Sequence, residues 1–168
     1  MRQRWRHYLA SSQNGWPASD EPRIIGVESF QVPGTKLKIR CSKKVAPLLI
    51  NLCREFHERV EKLDDGQLDD WGYAYRAIRG QEDAGNLSNH ASGTAVDLNS
   101  RKHPLGKRNT FTDEQEKVIR EIAKKYGCRW GGDYKNRADE MHFEIMLSPL
   151  EVKKRIEALG LADEKAKK

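Results

Sequence analysis

The sequence predicts an α+β fold: a single domain in which helices flank a central antiparallel sheet. Three observations lead there. A chain of 168 residues is long enough to bury one hydrophobic core without disulfide staples. Its composition, 37% hydrophobic and 33% charged, is ordinary for a globular protein. Segments that alternate with period two are mixed with segments spaced by three and four residues, without the βαβ regularity that builds a parallel sheet.

The elements follow in order. Residues 1–22 form a basic segment and a turn-rich loop, with SSQNGWPASDEPR at 11–23 dense in turn formers. IIGVESFQV and KLKIRC then flank Pro33-Gly34 as two strands around a turn. A helix begins near Ser42, because Leu49, Leu52, Cys53, Phe56, Val60 and Leu63 fall on one apolar stripe. DDGQLDD ends it as a polar loop. WGYAYRAI alternates and predicts a strand, followed by the loop RGQEDAGN and a second strand, TAVDLN. Thr112 and Gln115 form a capping box ahead of Val118, Ile119, Ile122 and Tyr126, with Gly127 as the stop. MHFEIM is a further strand, and Ser148-Pro149-Leu150-Glu151 opens a last helix ending at Gly160. The domain proper spans 23–160, and 161–168 is a charged tail.

Bulk properties exclude several classes. No apolar stretch approaches membrane-spanning length, and no signal-peptide core follows the basic start, so a chain made in the cytoplasm without a leader is expected. Cys41, Cys53 and Cys128 form no CxxC pair, which argues against a thiolate zinc site and for small packed thiols. The net charge of +6 is uneven: residues 1–44 carry nine Lys/Arg against three acids, and the remainder carries 22 of each sign. Such a segment attracts polyanions, anionic wall polymers among them. The patterns of a nucleic-acid binder are missing, with no zinc-finger spacing, aromatic RNA-binding strand or basic-region helix, and no nucleic-acid partner is expected.

Two segments carry the chemistry. In the first, Val96 and Leu98 point to one face of a strand and Ala95 and Asp97 to the other, with His90 a short turn away across Gly93. In the second, Met141, Phe143 and Ile145 are the apolar face, leaving His142 and Glu144 opposite. If the strands are neighbours, His90, Asp97 and His142 converge on one side of the sheet. Two imidazoles and a carboxylate with one position open is a catalytic zinc arrangement, one Zn2+ per chain. Asp139, three residues before His142, is placed to accept a proton from a metal-activated water. Glu144 is a candidate for orienting a ligand. His7, His57 and His103 read as surface or packing residues, and Trp130 as core.

Ser88, His90, Gly93, Ala95 and Asp97 meet every fixed position of S-x-H-x-x-G-x-A-x-D, and Asp139 and His142 meet [D/E]-x-x-H. Together they resemble the zinc D-alanyl-D-alanine carboxypeptidase family, which includes phage endolysins that act as L-alanyl-D-glutamate endopeptidases. The likeness extends through NGWP, WGYAYRAIRG, HPLG, TFT and WGGDY, over roughly residues 13–146, and is nearest to the lysis peptidases of actinobacteriophages. The resemblance implies a fold shared with the hedgehog signalling domain. It also implies zinc on His90, Asp97 and His142, Asp139 as the base, and a substrate-side arginine matched by Arg76 or Arg79. Ser88 is either a substrate contact or a brace for the His90 loop. The expected activity is hydrolysis of peptidoglycan stem peptides by a monomer that reaches the wall after release, at the L-alanyl-D-glutamate bond. The competing expectations are a D-alanyl-D-alanine carboxypeptidase or dipeptidase, and a zinc-holding wall-binding module without catalysis.

Overall fold

The computed structural model describes residues 10–161. It is an α+β domain with three helices and antiparallel sheets, as the patterning predicts. The basic start (Arg2, Arg4, Arg6, His7) and most of the charged tail lie outside the described residues.

Strands β1 (Ala10–Ser11) and β2 (Pro17–Ala18) pair across the NGW turn. Strands β3 (Val27–Gln31) and β4 (Lys38–Ser42) form the hairpin around Pro33-Gly34. Helix α1 (Ala46–Arg59) follows and buries its Leu49, Leu52, Cys53 and Phe56 stripe. Strand β5 (Ala95–Asp97), helix α2 (Asp113–Lys125), strands β6 (Cys128–Trp130) and β7 (His142–Ile145) and helix α3 (Pro149–Ala158) complete the chain. The capping boxes at Thr112 and Ser148 both form. Their reciprocal bonds satisfy amide groups that a helix start otherwise leaves unpaired.

The antiparallel pairing is divided among three sheets, and the one that matters for function has the order β5-β7-β6. Phe143 and Ile145 of β7, Val96 and Leu98 beside it, and Phe56, Ile119, Ile122 and Trp130 bury together in one core. Trp16 belongs to the same core, so the 11–23 loop packs on the domain instead of preceding it.

Three local expectations are corrected. WGYAYRAI is extended but not a strand, because its backbone partners change at almost every step. Trp71 pairs with Asp97, Tyr73 donates to Arg40 O, Ala74 donates to His90 O, and Arg76 O accepts from Ser88. A segment shared among four neighbours clamps them together and makes no ladder. Residues 128–130, without period-two alternation, are a strand because β7 offers them an edge. The turn-rich 11–23 loop contains the β1–β2 pair. Cys41 and Cys53 are buried and Cys128 half-buried, with no disulfide among the described residues. Among the described residues no helix is long and apolar enough to cross a membrane.

Candidate metal centre

The register of β5 against β7 sets Asp97 directly opposite His142 and Ala95 opposite Glu144. Small Ala95 leaves the room that the acidic side chains need. His90 arrives from a 3-10 turn at Asn89–Ser92, capped at its start by Ser88, whose hydroxyl accepts the His90 N–H. The turn ends at Gly93, whose φ of 66° falls in the left-handed region. A Cβ there would lie 2.7 Å from the Ser42 amide nitrogen, so this position admits only glycine.

The three side chains meet. His90 Nε2 lies 3.1 Å from Asp97 Oδ1, His142 Nδ1 lies 2.8 Å from the same oxygen, and the two ring nitrogens are 3.2 Å apart. Around a tetrahedral ion with bonds of ~2.0 Å, ligand atoms are separated by about 3.3 Å. Two edges of the triangle are close to that separation and the His142–Asp97 edge is shorter, so zinc fits after a small opening of that contact. His90 Nδ1 is 2.6 Å from the Gly72 carbonyl, which only accepts, so this nitrogen carries the proton and Nε2 keeps its lone pair. His142 Nε2 is 3.2 Å from Glu144, which leaves Nδ1 as the ligand atom. Both imidazoles thus turn lone pairs toward the Asp97 carboxylate, an arrangement that needs a cation, or a proton, between them.

The electrostatics agree. Burial pulls the His142 pKa down, yet hydrogen bonds from the ring to the Asp97 and Glu144 carboxylates outweigh it and push the ring up to about 10. Burial also opposes ionisation of Asp97 and Glu144, but the facing histidines hold Asp97 well below the usual carboxylate range. His142, Tyr134 and Asn89 hold Glu144 down at about 2. The pocket is built for positive charge.

Asp139 is the exception among the acids. Burial raises it to about 6, and its Oδ1 is buried with no hydrogen-bond partner. It lines a cleft of about 630 Å³ together with His142, Ser88, Arg76 and Arg79. Its backbone is held by Asp139 N–H to Gly131 O at 2.9 Å and His142 N–H to Asp139 O at 3.0 Å.

Residues 82–145 match the family model described as D-alanyl-D-alanine carboxypeptidase. The matched stretch contains His90, Asp97, Asp139 and His142, and it supports a peptidase of that family. No curated protein and no solved structure gives a match. Arg76 lies outside the stretch. It is half-buried, its guanidinium donates to Ala77 O at 3.3 Å, and it forms no ion pair with Asp69 or Asp70. Those two acids instead accept from the turn after β5, Asp70 from the Asn99 N–H at 2.8 Å and Asp69 from the Arg101 N–H at 3.4 Å.

The candidate site also uses residues that sequence patterning passes over. Asn89 donates to Glu144 at 2.5 Å, and the Tyr134 hydroxyl donates to its other oxygen at 2.7 Å. Asn14 ties the N-terminal loop to both site strands through Thr94 Oγ1 (2.8 Å) and Ile145 O (2.9 Å). None carries a periodic signal, although Asn14 and Tyr134 lie in the NGWP and WGGDY segments. Glu140, adjacent to Asp139, is turned away. It accepts the amides of Asn109 (2.8 Å) and Thr110 (2.9 Å) and the Thr110 hydroxyl, which latches that loop and removes it as an alternative base. His103 stacks on Phe111 with ring centroids 3.7 Å apart, and buried His57 accepts the Leu63 amide at 3.2 Å, so both are packing residues. Trp130 is core, its indole donating to Glu140 O at 2.7 Å.

Gly131 is a further positioning residue. A Cβ there would lie 2.3 Å from Asp139 O and 3.0 Å from Asp139 Cβ. Gly131→Ala must therefore displace Asp139, and no ligand side chain is among the three atoms nearest to the added Cβ. We expect peptidase activity to fall at least about tenfold with metal content retained, since misplacement by ~1 Å costs far more than that in preorganised sites. Metal analysis alongside a wall-clearing assay checks this, and full activity would remove Gly131 from the argument.

Proposed function

We propose that the chain is a zinc metallopeptidase that hydrolyses peptidoglycan stem peptides at the L-alanyl-D-glutamate bond, as a phage-type lysis enzyme. The observation that carries this reading is an acid, Asp139, that lines a cleft together with His142, one corner of a donor triangle of zinc dimensions.

His90, Asp97 and His142 would hold the ion, with Gly72 O and Glu144 orienting the two rings. Bound there, zinc supplies a Lewis acid and brings the acidity of a coordinated water close to neutral pH. Asp139, which lines the cleft beside His142, takes the proton from the attacking water and passes it to the leaving amine. Arg76 brings a charge to the cleft that suits an anionic peptide group or a developing oxyanion. A module that merely stores zinc has no use for an acid placed in this way, which disfavours the non-catalytic reading.

Digestion of purified peptidoglycan followed by mass spectrometry tests the bond. New amino-terminal D-glutamate supports the endopeptidase. The second reading, removal of terminal D-alanine, is favoured by the description of the matching family and by the cationic cleft, and free D-alanine with otherwise intact stems would establish it.

The pH profile gives an independent check. Asp139 acts as a base only when ionised, and its pKa of about 6 is lowered further by a nearby bound cation. The acid limb of kcat/KM is therefore expected at or below pH 6, with a plateau through neutrality. An acid limb centred above pH 7 would assign the base to another group.

The basic first quarter of the chain supports weak attachment to anionic wall polymers. Retention on purified walls should fall as salt rises, and fall further when Arg2, Arg4 and Arg6 are reversed to Glu. Retention indifferent to both leaves that segment without a wall-binding role.

A further inference from the structure

We propose that the cleft carries an anion-binding subsite, formed by Arg79, Lys135 and Arg137, which takes a free carboxylate of the peptide. The protein would thereby discriminate free from amidated stem peptides. This inference rests on the peptide-substrate reading above and goes beyond it.

The cleft is lined by five cations, Arg76, Arg79, Arg129, Lys135 and Arg137, against three acids, Asp133, Asp139 and Glu144. Two of the acids are already engaged. Asp133 pairs with Arg120 at 3.0 Å, and Glu144 is held by His142, Tyr134 and Asn89, which leaves Asp139 as the one lining acid whose charge reaches Arg79. Among the cations, Arg129 stacks over the Tyr134 ring at 4.5 Å. Arg79, Lys135 and Arg137 have no ion pair among the described residues, whereas some cations outside the cleft do. Arg59 bonds Glu121 at 3.1 Å and Lys102 bonds Asp65 at 2.9 Å. Like charges gathered in one cleft repel, and the repulsion is felt: after burial, the Arg79 charge is the next cause that lowers Arg76. An anion from outside relieves that cost.

The cluster is also held in place. Arg108 donates to Tyr134 O at 2.8 Å and Lys135 O at 3.2 Å, and the Gly106 amide donates to Ala138 O at 2.8 Å, which fixes both ends of the 134–138 segment. The Arg137 guanidinium lies against two loops at once. A Cβ built on Gly80 would be 3.5 Å from its Nη1, and one on Gly106 would be 3.8 Å from its Nε. An arginine on a braced segment, seated between two loops, offers a planar fork suited to carboxylate recognition.

The test compares L-alanyl-γ-D-glutamyl-L-lysyl-D-alanine with the same peptide amidated at both carboxylates, titrated calorimetrically into zinc-loaded Asp139→Asn protein. The free acid should bind at least about tenfold more tightly, the order expected for charge-assisted hydrogen bonds. Adding Arg79→Gln and Arg137→Gln should shrink that advantage to below about threefold, while Lys36→Gln with Lys38→Gln, an equal charge loss outside the cleft, should preserve it. Equal binding of the two peptides overturns the subsite, as does an advantage that survives the arginine changes or is lost equally in the lysine control. Cleavage of the free-acid peptide by the unmodified chain is scored separately. Discrimination in binding without cleavage keeps the subsite and removes the hydrolase reading, and cleavage without discrimination does the reverse.

Discussion

Asp139→Asn is expected to lose wall-degrading activity by about a hundredfold or more, the range for removing a general base, while keeping its zinc. The same change should make the metal-free protein melt higher. The sign follows from the raised pKa. The group titrates at 3.8 in its ordinary setting and at about 6 when folded, so its favourable contribution is complete below pH 3.8 and gone above pH 6. At pH 7 the folded chain therefore carries a half-buried carboxylate with one buried, unpaired oxygen, at a cost on the order of 2–3 kcal/mol. The neutral amide avoids the charge at nearly the same volume. A gain of several degrees by calorimetry is the corresponding shift for a domain of this size. Full activity in the variant would move the base elsewhere, with Glu144 the next to test because Glu140 is committed to the 109–110 loop. An unchanged melting temperature would remove the claim that this site stores electrostatic strain.

His142→Ala is expected to abolish both metal retention and activity, and to destabilise the domain even without metal. His142 sits between Asp97 (2.8 Å) and Glu144 (3.2 Å), both buried, and its charge holds both carboxylates in their ionised form. Removing it leaves two buried acids across one pocket, a loss of roughly 3–5 kcal/mol. That part of the stability is pH-dependent in a defined way. The folded pKa of about 10 lies above the ordinary 6.5, so the contribution is complete below pH 6.5 and disappears as pH rises through 10. Chemical denaturation of metal-free protein at pH 6 and pH 10 should show the gap between the parent and His142→Ala narrowing. His90→Ala should also lose zinc, but at a smaller stability cost, because His142 remains to neutralise Asp97. Zinc bound near one equivalent in both variants would end the assignment of these ligands.

Much of this protein can be read from its residues in order. The capping boxes at Thr112 and Ser148 need only four consecutive positions each. The alternation in AVD and HFEI sorts Asp97 and His142 to the side away from the core, because side chains in a strand change face at every step. The spacing from Ser88 to Asp97 already contains a capped turn, a left-handed glycine and a strand, so local stereochemistry determines how His90 is presented. What the tertiary structure decides is everything that depends on a neighbour distant in sequence. WGYAYRAI has the pattern of a strand yet becomes a clamp, since its backbone bonds go to Asp97, Arg40, His90 and Ser88 and not to one partner. Glu140 and Asp139 are adjacent acids with opposite fates, one bonded to a loop thirty residues away and the other lining the cleft with one oxygen buried and unpaired. The reason is the same in both cases. Local propensity and periodicity specify which way a side chain faces, whereas hydrogen-bond satisfaction and desolvation depend on what the fold brings opposite it, and these set the charge state of Asp139.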